Sequence, residues 1–165
     1  MNEVAEFVVR AVAIGVGATV VLDLWAIILK RAFSIPSLDY RLVGRWLANM
    51  PKGKFMHTNI IKTAPAPGEV FLGWTAHYAI GVLFAALMLG AMRPGWATEP
   101  TFWPALITGV VSLAAPFFIM QPAFGFGIAA SKTPAPNTAR MRSIMNHAVF
   151  GVGLYIAAVL AAWAV

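Results

Sequence analysis

Four apolar runs, 7–29, 70–92, 102–130 and 146–165, divide the chain. Each is long enough as a helix to cross a hydrocarbon layer of about 30 Å. Inside lipid a lone segment satisfies its own backbone only as a helix. The expected fold is therefore all-α: an integral membrane four-helix bundle, in a single transmembrane domain over 1–165. Composition agrees, with 60% of residues hydrophobic and 11% charged, whereas a soluble domain carries about a quarter charged. The first run follows Glu3 and Glu6 rather than a basic segment, and no A-x-A cleavage pattern stands out, so it reads as a retained span and not a signal peptide.

The connections carry the charge. Loop 30–69 holds seven Lys and Arg residues and loop 131–145 holds three, ten of the twelve in the chain. That side is expected to be cytoplasmic. Both termini then face outward. The same distribution accounts for the pI near 10.2 without a nucleic-acid partner, and the absence of cysteine excludes disulfides, thiolate metal sites and a cysteine nucleophile. Within the first loop, Ser37 suits an N-cap, and Leu38, Leu42, Val43, Trp46, Leu47 and Met50 recur at helical spacing up to Pro51. This pattern predicts a short cytoplasmic amphipathic helix over 38–49, lying in the membrane interface. His57 reads as a solvated loop histidine, and Arg10 as a residue snorkelling at the outer end of the first span.

Polar residues inside the spans are the candidate site. Asp23 lies seven residues from Lys30, about 10 Å deep, and a carboxylate there needs a partner or a proton. His77 shares a stripe with Gly73 and Gly81, and His147 one with Gly151 and Tyr155. Pro116 and Pro122 interrupt the third span around Gln121, and Gly125 and Gly127 loosen it further, so it should kink or open toward a cavity. Lys132, Arg140 and Arg142 would stand at the mouth. A short internal repeat relates His77-x-x-x-Gly81-Val82 to His147-x-x-x-Gly151-Val152, and the spacing from Asp23 to Pro36 equals that from Gln121 to Pro134. Two repeated two-helix units would bring Asp23, His77, Gln121 and His147 to a similar depth in the inner leaflet. The stripes with Gly15, Gly73, Gly81 and Gly151 outnumber the contacts that four helices need, so a homodimer is expected.

The segments LDLWAIIL, IPSLDYRLVGRWL, GWTAHYAIGV, APFFIMQPAFGFGIAASKTP and NHAVFGVGLY resemble a family of uncharacterised bacterial inner-membrane proteins, catalogued as domain of unknown function 2938. The resemblance covers essentially the whole chain. It implies a small multi-spanning membrane protein and brings no catalytic residue, cofactor or substrate.

No G-x-S-x-G, H-E-x-x-H, P-loop or dinucleotide motif is present. The favoured reading is a polar cavity that binds and moves a small solute, ion or proton, using Asp23, His77, Gln121, His147, Lys132 and Arg140. A structural or accessory subunit comes second. A divalent metal on Asp23, His77 and His147, or a membrane enzyme with a histidine base, completes the set.

Overall fold

A computed structural model describes residues 2–92 and 95–164. Arg93 and Pro94 of the expected outer connection, and Val165 at the end of the fourth expected span, lie outside the described residues. The elements are α1 Glu3–Phe33, α2 Tyr40–Asn49, α3 Glu69–Ala91, α4 Phe102–Ser112, α5 Gln121–Ala123 and α6 Pro136–Ala164, with no strand among the described residues. Four stretches are long and apolar enough to cross a membrane: Glu3–Phe33, Glu69–Ala91, Phe102–Ala123 and Pro136–Trp163. The all-helical, four-span reading holds, with shifted limits.

Each limit has a local cause. In α1, Asn2 accepts from the Ala5 N–H, Glu3 and Glu6 occupy the first turn and Lys30 and Arg31 the last, all complementing the helix dipole. The amphipathic helix starts at Tyr40 rather than 38. Asp39, not Ser37, is its cap, because that carboxylate accepts from the Arg41 N–H while also binding the Arg41 guanidinium. The third span is helical only to Ala123, short of the expected 130. Its prolines supply no N–H, and over Pro116–Met120 the ladder widens to a π turn in which the Gln121 N–H donates to the Pro116 carbonyl. Gly125 and Gly127, both at positive φ, then end it. The last helix begins at Pro136, ten residues before the expected 146. Its first turns carry Asn137, Arg140 and Arg142, and hydropathy cannot see a helix that continues on a polar sequence; Pro136 sits at the first helical position, where its missing N–H costs nothing.

The chain divides into two compact units. The first, Met1–Ser37, Tyr78–Val111 and Asn146–Val165, gathers α1, most of α3, α4 and most of α6 around Ile14, Ala18, Met88, Phe150, Leu154 and Ala158. Its crossings depend on small residues. A Cβ on Gly15 would collide with the Val82 backbone, and one on Gly109 would stand 2.5 Å from the Gly151 Cα. Thus Gly81 and Gly151, the glycines of the repeated motif, both lie where the helix that carries them crosses the preceding span, α3 over α1 and α6 over α4. Arg10 does not snorkel: it is 8% exposed, bound to Glu6 at 2.9 Å and to the Ala97 carbonyl at 3.0 Å.

The second unit, Leu38–His77 and Ser112–Met145, has its own small core of Val43, Ile60, Ala123 and Phe124. There α2 rests on the start of α3, where Gly44 meets the Glu69 carbonyl and Gly73 the Tyr40 carbonyl. The glycine stripes that suggested a dimer are spent on contacts inside the chain.

Candidate functional site

α1 carries Asp23 ten residues from its C-terminal end at Phe33, about 15 Å at the helical rise. The side chain is half-buried, and the Tyr78 hydroxyl donates to its Oδ2 at 2.9 Å. His77 precedes Tyr78 on α3 and is the last α3 residue of the second unit. Its ring stacks on Tyr40 at 4.0 Å and 25°, with Trp74 edge-on at 5.8 Å. The close approach of Gly73 to the Tyr40 backbone is what lets α2 place that phenol there.

His147 belongs to the first unit, eleven residues into α6, and its imidazole hydrogen-bonds the backbone of Gly109. It is therefore not at a helix start. Gln121 follows the π turn and is 8% exposed. Its Nε2 reaches Ser143 Oγ at a long 3.5 Å, and its buried Oε1 accepts no hydrogen bond among the described residues.

The expected basic mouth has local duties. Arg140 donates from Nε to the Ala129 carbonyl at 2.8 Å and from Nη1 to Asn137 at 3.0 Å. It thereby steadies Ala129 and Ala130, which sit at φ 47° and 60°, a left-handed conformation that costs an L-residue about 1–2 kcal/mol. The Lys132 N–H closes the same turn on the Phe126 carbonyl at 2.8 Å. Of the six residues, Asp23 and His147 fall in the first unit and His77, Gln121, Lys132 and Arg140 in the second. Among the described residues no group of three His, Cys, Asp or Glu side chains is placed to hold a metal ion.

The sequence model of a family described as a protein of unknown function (DUF2938) matches residues 12–161. The chain belongs to that family. No curated protein and no solved structure matches it. In this DUF2938 protein the match spans every candidate residue from Asp23 to His147.

The most developed polar structure of the DUF2938 chain is one that sequence reasoning missed. Arg45 on α2 and Glu69 at the start of α3 form a two-pronged ion pair, Nε to Oε2 at 2.8 Å and Nη2 to Oε1 at 2.9 Å, each side chain 10% exposed. Arg45 Nη1 also donates to the carbonyls of Ile60 and Thr63, and Glu69 Oε2 accepts from the Ala66 N–H. Its hydrogen bonds to Glu69 push the Arg45 pKa up. The available signal was scarcity: between Asp39 and Glu99, Glu69 is the sole carboxylate. Nor is His57 a solvated loop residue. It is 5% exposed, its Nδ1 lies 3.0 Å from Thr63 Oγ1, and burial, with a smaller effect from Lys54, lowers its pKa.

Proposed function

We propose that this membrane protein binds and moves a small solute, ion or proton, with Asp23 as the exchanging group and the interrupted third span as the part that yields. The observation that carries the reading is the Asp23 carboxylate on an apolar spanning helix, held by the Tyr78 hydroxyl at 2.9 Å. A charge there costs at least about 2.5 kcal/mol, and ionisable residues within spans mark ion or substrate paths by default. Two features of the third span support it. π turns occur disproportionately at functional sites, and Gln121 directly after this one keeps an unsatisfied buried acceptor. A cytoplasmic placement of loops 30–69 and 131–145, with both termini outside, belongs to the same proposal and rests on the charge asymmetry, while the bacterial inner membrane is what the family resemblance implies. A homodimer is a separate part of the proposal and would need a surface other than the glycine stripes, which pack inside the chain; a detergent-corrected mass of one 17.7 kDa chain would exclude it.

The test is flux into proteoliposomes, wild type against Asp23→Asn. The carboxamide keeps the shape but cannot exchange a proton. A structural or accessory role is the second reading, favoured by the Arg45–Glu69 pair, which fixes α2 onto α3. On that reading Asp23→Asn lowers stability and leaves every flux at the level of empty vesicles.

A further inference from the structure

Where the third span unwinds, a second segment holds it. The His57 N–H donates to the Ala123 carbonyl at 2.8 Å and the Ile60 N–H to the Phe124 carbonyl at 3.0 Å, while Gly125 lies so close to the Thr58 carbonyl that no Cβ would fit. These two hydrogen bonds satisfy carbonyls that the helix no longer pairs, at the end of a segment strained by the left-handed Ala129 and Ala130.

The His57 ring decides how firmly this clasp sits. The Thr63 hydroxyl has one hydrogen, which it donates to the Asn59 carbonyl at 3.2 Å, so the 3.0 Å contact to its Oγ1 makes His57 Nδ1 the donor. Nε2 is then a bare lone pair, fully buried and without a partner among the described residues. We propose that His57 is a proton-sensitive latch: the 57–60 loop clamps the unwound end of the third span while the ring is neutral and releases it when the ring is protonated.

The surroundings set the sign. A proton on Nε2 creates a buried N–H with no acceptor and a charge close to Lys54. From α2, the Arg45 guanidinium is anchored on the Ile60 and Thr63 carbonyls of the same loop, with its charge already matched by Glu69 of α3. The clasped segment, 120–126, contains no ionisable side chain. Among the described residues none of these groups compensates an imidazolium at this ring, in keeping with its lowered pKa. Once the loop is released and hydrated, the ring titrates near its ordinary 6.5. The released state binds the proton more tightly, so the clasp is at full strength above that value and weakens as pH falls below it. The latch rests on the proposed function only for what it gates, and its test involves no flux.

The experiment is amide hydrogen exchange of the full chain in lipid nanodiscs, read at His57 and Ile60 and corrected for the intrinsic pH dependence. A group that titrates near 6.5 when released and stays neutral when clasped predicts a fall in protection of up to about tenfold between pH 7.5 and 5.5. In His57→Gln, which keeps a side-chain donor and cannot titrate, protection should not change with pH. Gly125→Ala should lose protection at both pH values. Equal wild-type protection at pH 7.5 and 5.5 overturns the proposal, as does an undiminished pH response in His57→Gln. If His57→Gln fails to fold, the wild-type pH series still decides.

Discussion

The Tyr78 hydroxyl donates to Asp23 Oδ2 at 2.9 Å, tying α3 to α1 through a carboxylate on a membrane-spanning helix. Tyr78→Phe removes only that hydroxyl. An interhelical hydrogen bond in a membrane is worth about 0.6–2 kcal/mol, and the variant should lose that much in a reversible unfolding measurement in detergent or bicelles. An unchanged midpoint would mean that the bond contributes nothing to the fold.

The Arg45–Glu69 pair should behave as a buried ion pair does. Arg45→Ala or Glu69→Ala leaves one charge uncompensated and should cost about 3–5 kcal/mol. Arg45→Lys also falls well short of wild type, because an ammonium cannot grip both carboxylate oxygens and two backbone carbonyls at once. The double change Arg45→Met with Glu69→Leu should cost less than either alanine change, since no orphaned charge remains. A double-mutant cycle of Arg45→Ala, Glu69→Ala and the two together, read by denaturant unfolding, measures the coupling.

Helix crossings give a contrast within one residue type. Gly109→Val places atoms where the Gly151 backbone lies and should prevent α4 and α6 from closing, whereas Gly90→Ala meets nothing within 4 Å and should be silent. Thermal stability of the purified variants checks both. A destabilised Gly90→Ala together with a stable Gly109→Val would refute the crossing geometry.

Legibility followed the range of the forces involved. The four spans were readable because lipid demands a continuous apolar run, and the interruption near Gln121 because proline acts on its own helix. The polar start of α6 at Pro136 carried no such mark. Arg45 and Glu69 are 24 residues apart, and their pairing exists only because Gly44 lets α2 settle on α3. The burial of His57 comes from a loop folding back on Ala123, which no local pattern encodes. At the candidate site, the sequence pointed to the need of Asp23 for a partner but not to Tyr78, since a tyrosine in a span is as often a packing residue.

Orientation is open to a simple probe, because the chain has no cysteine. Thr58→Cys, at an exposed position in the 30–69 connection, should react with a membrane-impermeant thiol reagent only from the cytoplasmic side. Reaction from the outside would invert the proposed topology.

On the proposed function, Asp23 exchanges with a species that crosses the membrane. The most direct measurement is proton and small-cation flux into proteoliposomes, for wild type and for Asp23→Asn reconstituted to equal density. Flux above empty vesicles is expected for the wild type and should be lost in Asp23→Asn, although that variant inserts and folds. Equal flux in the two proteins, or none above empty vesicles for the wild type, would contradict it.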